Sequence, residues 1–203
     1  MGHPTHMLIA TGNAHKVKEF REMLGEGRYE WADLSHGSAI RIPEETGETF
    51  RTNACLKAAY YATALKTWAM ADDSGLEVDA LGGKPGVHSA RWAEMHEKGK
   101  GDGDNNQLLL EQMKDVSDEN RTARFVCCLA LANPDGKIIL TARETIDGHI
   151  LREARGCNGF GYDPLFFIDQ LGKTTAELHS EEKHAISHRG KALRVMKRLL
   201  KEV

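Results

Sequence analysis

The sequence lacks the features that mark several classes of protein. None of its apolar stretches approaches the roughly 20 residues of a membrane-spanning helix, and none follows the N-terminus as a secretory signal requires. A formal net charge of -3 argues against the broad basic surface of a nucleic-acid-binding domain. There is no internal repeat and no low-complexity tract. We therefore expect a globular cytoplasmic protein without a membrane or nucleic-acid partner, in which any phosphate recognition is local.

The cysteines also lack a functional spacing. The sequence contains four, and none forms the C-x-x-C pair of a zinc site or a redox motif: Cys55, Cys127, Cys128 and Cys157. Neighbouring residues on a strand point to opposite faces, so the adjacent pair is poorly placed to act together. We expect all four to be reduced and structural.

The remaining sequence indicates an α/β fold. Apolar runs of strand length alternate with amphipathic segments of helix length. Strands are predicted at 7–10, 38–42, 68–71, 123–132 and 137–150. Helices are predicted from the turn that contains Lys16 to the residue before Gly25, and at 49–65, 105–114 and 191–203. The chain is long enough for one substantial core or for two lobes that share one.

Three other segments complete the organisation. Asn133-Pro-Asp-Gly136 is typical of a hairpin turn between two strands. Residues 93–104 are polar and glycine-rich, which predicts an exposed, mobile loop. Residues 1–6 have no periodicity, so we treat them as a flexible extension and 7–203 as a single domain.

The chemistry is concentrated between residues 71 and 92. Asp72 and Asp73 follow an apolar run, and we expect them at the carboxyl end of a strand, where open α/β sheets bind ligands. Ser74 adds a hydroxyl, and Gly75 is free to adopt positive φ. An ordinary polar turn is the alternative for these four residues alone. The glycine-rich loop at 82–86 and nearby cations instead favour a polyanion held through a metal.

A strand, a polar turn and a helix open the chain. The turn between Thr11 and Lys16 aims backbone N–H groups and the helix dipole at its occupant, as in an anion site. Asn13 is a candidate helix cap, and Lys16 in the first turn opposes the dipole unless an anion is bound. A plain capped turn is equally compatible. Lys57 interrupts the apolar surface of the helix at 49–65, either on a solvated face or reaching into a cleft.

Two later segments are also candidates. Phe160 and Tyr162 lie among glycines, where aromatic rings can stack on a purine or simply fill the core. His188 and Arg189 form a donor pair suited to a base carbonyl or a phosphate, although such a pair is more often at the surface.

Taken together, these segments resemble one family. The sequence contains TGNAHK, PEETGETF, NACLKA, ADDSGLEVDALGGKPGVHSARW, GFGYDPLF and SEEKHAISHRGKAL, in that order. In order and spacing they resemble the inosine triphosphate pyrophosphatase family, whose bacterial members are XTP/dITP diphosphatases. The resemblance covers the chain from Met7 to its C-terminus.

The resemblance implies an activity and an architecture. The expected reaction is hydrolysis of noncanonical purine nucleoside triphosphates, such as ITP, dITP and XTP, to the monophosphate and pyrophosphate. The expected fold is an elongated mixed β-sheet flanked by helices, with an active-site cleft between two lobes. The family also implies a cytoplasmic homodimer that uses Mg²⁺.

The resemblance assigns roles residue by residue. Glu44 and Asp73 would hold magnesium, and Asp73 would also be the catalytic general base. The residues implied in binding the substrate are Thr11, Gly12, Asn13, Ala14, His15, Lys16, Lys57, Ser74, Phe160, Gly161, Tyr162, Asp163, Lys183, His188 and Arg189. Of these residues, His188 and Arg189 would donate hydrogen bonds to the base.

Two other functions remain open from the sequence. The chain is also compatible with a pyrophosphatase for other modified nucleotides, pyrimidines included. A nucleotide-binding module without turnover is the third possibility, although paired acids repel phosphate unless a metal bridges them.

Overall fold

The computed structural model describes residues 6–24, 29–34 and 40–202. Within them, seven strands form one sheet in the order β2-β1-β3-β4-β5-β6-β7. The strands are β1 (His6–Ile9), β2 (Glu30–Asp33), β3 (Trp68–Val78), β4 (Thr122–Ala132), β5 (Ile138–Ile150), β6 (Phe166–Ile168) and β7 (Lys173–Thr174). The helices are α1 (Ala14–Leu24), α2 (Phe50–Leu65), α3 (Trp92–Met95), α4 (Asp102–Gln112), α5 (Ser180–Ile186) and α6 (His188–Leu199).

The sheet is mixed, as predicted. β1 pairs in parallel with both β2 and β3, whereas β6 pairs antiparallel with β5 and β7. Parallel neighbours require crossover connections, and α1 and α2 provide them. The predicted α/β class is therefore confirmed. No helix in the described part of the chain is both long and apolar enough to cross a membrane.

The chain forms two compact units. Unit 1 is drawn from residues 1–73, 127–144 and 189–203, and unit 2 from 74–126 and 145–188. The predicted cleft between two lobes stays a prediction. Residues 1–5 of the predicted extension lie outside the described residues, and His6 already belongs to β1.

Each unit has its own apolar core. In unit 1, side chains from β1, β3, β4 and the helices α1 and α6 pack together, among them Ile9, Phe20, Met70, Leu129 and Met196. In unit 2, the core is built from the second half of β3, from α4 and from β4 to β6, and it includes Leu76, Leu109, Phe125, Ile150 and Phe166. In α6, Ala192, Leu193 and Met196 pack into the unit 1 core, so the helical spacing predicted from the sequence corresponds to the buried side of this helix.

Several predicted elements are confirmed. α2 begins after Thr49, whose hydroxyl accepts a hydrogen bond from the backbone of Thr52 in a capping box. The turn between β4 and β5 is closed by a 2.8 Å hydrogen bond from Gly136 N to Asn133 O, and Gly136 has a φ of 83°. Only glycine adopts that φ without strain, which explains the hairpin signal.

Other predictions were wrong. The strand at 68–71 continues to Val78, so Asp72 to Gly75 lie inside β3 and not in a turn. Residues 40–42 are irregular, while Ser38 and Ala39 lie outside the described residues. Part of the segment predicted as a loop at 93–104 is helical, and Ala93 is fully buried. β2 was missed because its four residues, Glu30–Asp33, mix polar and apolar types.

The cysteines give a prediction about reactivity. Burial raises the pKa of Cys127, and it raises the pKa of Cys128 to about 11, whereas Cys157 is exposed. Because the thiolate is the reactive form, both buried thiols are protonated and inert at about pH 8. We expect iodoacetamide to modify Cys157 in the folded protein and the buried pair only after unfolding, as read by mass spectrometry. Equal labelling of all three without denaturant would contradict the packing of β4.

Candidate active site

The site is organised by two adjacent acids in the middle of β3. Asp72 and Asp73 are both buried, and consecutive residues on a strand project to opposite faces of the sheet. A buried carboxylate is stable only when charges or donors compensate it. Each of the two acids has its own lysine, so β3 separates two ion-paired groups within unit 1.

The first group surrounds Asp72. Its Oδ2 lies 3.0 Å from Lys16 Nζ and accepts a 3.3 Å hydrogen bond from Arg189. Burial alone would raise the pKa of Asp72, but the positive charges of Lys16, Arg189 and Lys57 outweigh it and hold the pKa well below its usual range. Asp72 is therefore an ionised carboxylate held between cations.

The first turn of α1 positions Lys16. Asn13 Oδ1 accepts a 3.1 Å hydrogen bond from Lys16 N, which confirms Asn13 as the helix cap. Thr11 Oγ1 in turn accepts one of 3.3 Å from Asn13 N. Three other predicted residues between Thr11 and Lys16 are exposed, at or just before the start of this 11-residue helix: Gly12, Ala14 and His15. The turn therefore presents backbone and side-chain donors to solvent beside a buried charge pair.

The second group surrounds Asp73. Lys57 Nζ lies 3.1 Å from Asp73 Oδ1, and Asn53 Nδ2 donates to Asp73 Oδ2 over 3.2 Å. Asn53 and Lys57 are four residues apart on α2, so they share one face of that helix. Lys57 Nζ also lies 2.6 Å from Glu45 Oε1. A lysine that interrupts an apolar helix thus bridges two acids instead of facing solvent.

The surroundings of Asp73 and Lys57 raise the pKa of both side chains. Burial raises the pKa of Asp73, against the opposing charges of Lys57 and Lys16. Burial would lower the pKa of Lys57, but the carboxylates of Asp73, Asp72 and Glu45 raise it. Asp73 is consequently a stronger base than an exposed aspartate, while Lys57 stays charged.

Glu45 and Glu44 differ in position. Glu45 is half-buried against Lys57, whereas Glu44, the glutamate singled out from the sequence, is exposed. Sequence reasoning also passed over Asn53, which is completely buried and accepts a 2.8 Å hydrogen bond from Gly47 N. The available signal was its spacing of four residues from Lys57.

A separate polar group lies in unit 2 around Asp163. This buried carboxylate accepts hydrogen bonds from Lys183 Nζ at 2.6 Å, Thr175 Oγ1 at 2.8 Å and Phe160 N at 2.8 Å. Lys183 Nζ also lies 5.0 Å from the centre of the half-buried Phe160 ring. Asp163 therefore fixes both the lysine and the aromatic loop, with a cation held beside the ring.

The other predicted residues of unit 2 have different surroundings. Tyr162 is buried in the unit 2 core and donates a 3.0 Å hydrogen bond to Ser89 O, so it fills the core and offers no stacking surface. The His188 ring stacks on Phe125 at 5.0 Å. Ser74 is half-buried on β3. Gly161 has a φ of 63° and its carbonyl accepts a 2.9 Å hydrogen bond from Asn106 on α4.

The Asp163 group gives a stability prediction. Replacing Asp163 with Asn keeps the shape of the side chain but removes the negative charge that lies 2.6 Å from the buried Lys183 ammonium. We expect the free energy of unfolding to fall by about 3 kcal/mol, measured by urea denaturation. Asp169→Asn, at an exposed aspartate, is the matched control with a small expected change. An unchanged midpoint for Asp163→Asn would show that Lys183 is not held by this carboxylate.

The fold and the site together define a class: an α/β protein with a mixed seven-stranded sheet and a buried, ion-paired site on its third strand. The chain belongs to the Ham1 family, whose family model matches residues 7–199. The family assignment predicted from the sequence segments is thereby confirmed.

Relatives and solved structures agree with this assignment over nearly the whole chain. A protein of Exiguobacterium sibiricum named dITP/XTP pyrophosphatase is 50% identical over 198 residues, 96% of each chain. A Bacillus anthracis protein of the same name is 46% identical, covering 97% of this chain and 96% of the relative. The solved structure of a HAM1 protein from Coxiella burnetii matches with a TM-score of 0.87 at 38% identity, covering 98% of this chain and 99% of that one.

Proposed function

We propose that this protein hydrolyses noncanonical purine nucleoside triphosphates, such as ITP, dITP and XTP, to the nucleoside monophosphate and pyrophosphate. Family membership and the names of the relatives support the proposal. The observation that carries it is the arrangement on β3, where Asp73 is buried between Lys57 and Asn53 and Asp72 is paired with Lys16. Two buried acids, each paired with its own lysine, suit a polyanionic substrate that binds with a metal ion.

The residues fit magnesium as the cofactor. Carboxylate oxygens are the ligands that Mg²⁺ prefers, and it usually binds through one or two of them while keeping waters and phosphate oxygens. Asp73 and Glu44 would hold it, with Glu45 beside them. The described residues contain no group of three or more His, Cys, Asp and Glu side chains that could hold a metal ion. When bound, the metal supplies positive charge against the triphosphate and lowers the pKa of water.

In the proposed mechanism, Asp73 takes the proton from the water that attacks the α-phosphorus. Its buried carboxylate, with a raised pKa, is suited to accept that proton. Lys16 and Lys57 neutralise phosphate charge, and the N–H groups at the start of α1 bind phosphate oxygens. Pyrophosphate then leaves as a charge-compensated group.

Base recognition is proposed for unit 2. Lys183 and His188 supply hydrogen-bond donors, and the half-buried Phe160 ring supplies a stacking face. Inosine and xanthine carry an oxygen at the 6-position that accepts such bonds, whereas adenine presents an amino donor there. Each donor left unpaired by adenine would cost about 1–3 kcal/mol, which favours ITP over ATP.

We also propose that the enzyme acts in the cytoplasm as a homodimer, as the resemblance implies. Light scattering coupled to size exclusion should give twice the chain mass of 22.5 kDa. A single-chain mass at micromolar concentration would contradict the proposed dimer. It would not bear on the proposed activity.

The decisive assay compares ITP, XTP, ATP and a modified pyrimidine triphosphate side by side with Mg²⁺. We expect pyrophosphate from ITP and XTP, little turnover of ATP, and loss of activity in EDTA that added Mg²⁺ restores. Release of orthophosphate without pyrophosphate would exclude the proposed reaction. Faster turnover of the pyrimidine would assign the protein to other modified nucleotides.

A further inference from the structure

The loop that carries Phe160 has a glycine on each side of the aromatic residue. Gly159 and Gly161 have φ angles of 76° and 63°, in the left-handed region that glycine adopts without strain. Gly161 also has open space where a Cβ would lie, so packing against its neighbours does not fix it. A backbone of this kind can adopt many conformations, and hydrogen bonds from other segments must select the observed one. The orientation of the Phe160 ring depends on those hydrogen bonds.

Hydrogen bonds fix the backbone on both sides of Phe160. On the N-terminal side, Asp163 Oδ2 accepts a 2.8 Å bond from Phe160 N. On the C-terminal side, α4 binds both polar groups of Gly161. Asp102 Oδ2 accepts from Gly161 N at 2.6 Å, and Asn106 Nδ2 donates to Gly161 O at 2.9 Å. Because a peptide group is planar, fixing the groups before and after a residue also fixes its two backbone angles, and with them the direction of its side chain.

The helix α4 is suited to act as a rigid support for the loop. Asp102 is its first residue, and Asn106 lies about one turn later on the same face. The helix is anchored on another side by Leu108 and Leu109, which are buried in apolar clusters. Asp102 itself is exposed, and exposed side chains usually contribute little to the free energy of unfolding. The main effect of its contact is therefore on the position of the loop.

We propose that Asp102 and Asn106 are positioning residues for Phe160. By binding the Gly161 backbone they hold the Phe160 ring in the orientation that stacks on a purine base. This role deepens the base recognition proposed for unit 2 and rests on it, because Phe160 is taken as the stacking face. Stacking on the base is remote from the reacting phosphorus and is the same before and during the reaction. The two residues therefore contribute to nucleotide affinity and not to kcat.

A ligand with a base and a ligand without one separate this role from a general effect on the site. Inosine monophosphate contains the base, whereas inorganic tripolyphosphate contains only phosphates. We expect Asp102→Ala and Asn106→Leu each to weaken inosine monophosphate binding about threefold and the double variant about tenfold, within the range that base–aromatic stacking contributes. Calorimetry with Mg²⁺ measures both ligands, and the affinity for tripolyphosphate should stay at the wild-type value. The KM for ITP should rise while kcat is unchanged.

Two further variants of α4 serve as comparisons. Asp102→Asn loses the charge but keeps an oxygen that can accept from Gly161 N, so its affinity for inosine monophosphate should stay within about twofold of wild type. Asp104→Ala is the matched control. Asp104 lies in the same first turn, and its Oδ2 accepts a 2.7 Å hydrogen bond from Lys100 N. Its replacement should leave the affinity for inosine monophosphate unchanged.

Removing the ring tests whether the two residues act through it. In a Phe160→Leu background there is no stacking face to orient, so Asp102→Ala and Asn106→Leu should cause no further loss of inosine monophosphate binding. If the substitutions in α4 merely disturbed unit 2, they would weaken binding equally with and without the ring. This double-mutant cycle therefore distinguishes positioning from a structural role.

Three results would overturn the proposal: wild-type affinity of the double variant for inosine monophosphate, equal losses with and without the Phe160 ring, or no binding of inosine monophosphate to the wild-type protein. An equal weakening of tripolyphosphate binding would also contradict it. Urea denaturation checks folding, and Asp102→Ala carries the test alone if Asn106→Leu does not fold. Failure of the wild-type protein to hydrolyse ITP would refute the proposed function, while the binding comparison would still decide the role of α4.

Discussion

Replacing Asp73 with Asn is expected to lower the rate of ITP hydrolysis by about 10²- to 10⁴-fold, the usual contribution of a general base. Asn has the same shape, but its one oxygen can replace only one of the two carboxylate oxygens that now accept from Asn53 Nδ2 at 3.2 Å and from Lys57 Nζ at 3.1 Å. It cannot take a proton from water at neutral pH. The loss should therefore appear in kcat measured at saturating Mg²⁺, while nucleotide binding at the same Mg²⁺ concentration, measured by calorimetry, stays close to wild type.

The matched control is Asp115→Asn, at a strongly exposed aspartate. It should leave both kcat and binding unchanged, since surface substitutions of this kind rarely matter. If the Asp73→Asn enzyme turns over ITP at the wild-type rate, another group is the base and the mechanism proposed for β3 is wrong.

Replacing Lys57 with Met is expected to damage both stability and activity. Lys57 is 8% exposed and pairs with Asp73 and Glu45, so its removal leaves a buried carboxylate without its cation. The free energy of unfolding should fall by about 3–5 kcal/mol. The rate of ITP hydrolysis should fall by about 10²- to 10³-fold, because a charge that stabilises the reacting phosphates is lost.

A double variant tests the cause of the destabilisation. In Lys57→Met with Asp73→Asn the uncompensated charge is gone, so part of the lost stability should return although activity does not. Lys18→Met, at an exposed lysine of α1, is the control for removing a lysine. If the double variant loses as much free energy of unfolding as the two single variants together, Lys57 and Asp73 do not interact in the folded protein.

Local patterns predicted much of this structure. The cap at Asn13, the start of the helix predicted at 49–65 and the turn at Asn133 each follow from residues within four positions of one another. The two lysines were also found, because a cation opposing a helix dipole and a cation interrupting an apolar helix are both conspicuous in sequence. Such patterns predict the folded structure well because they depend only on residues that are neighbours along the chain.

The predictions that were wrong concern residues whose partners are distant in sequence. Asp72 and Asp73 can lie inside β3 only because Lys16, Lys57 and Arg189 compensate their charges. Nothing near the acids in sequence shows that these cations meet them. The burial of Arg189 has the same origin, since its partner Glu19 is 170 residues away along the chain.

The sequence also did not show which of two nearby residues in one segment is buried or ion-paired. Phe160 and Tyr162 form one motif in the sequence, but only the tyrosine packs in the core of unit 2. Glu44 and Glu45 are adjacent acids, and only the second pairs with Lys57. Which side chain of such a pair points inward is set by the backbone path, which the sequence pattern leaves open.

Hydrolysis of ITP in H₂¹⁸O identifies the phosphorus that water attacks, because the label is transferred to that phosphorus. We predict ¹⁸O in the inosine monophosphate, with unlabelled pyrophosphate, when the products are read by mass spectrometry. Label in the pyrophosphate or in orthophosphate would contradict attack on the α-phosphorus and the role proposed for Asp73.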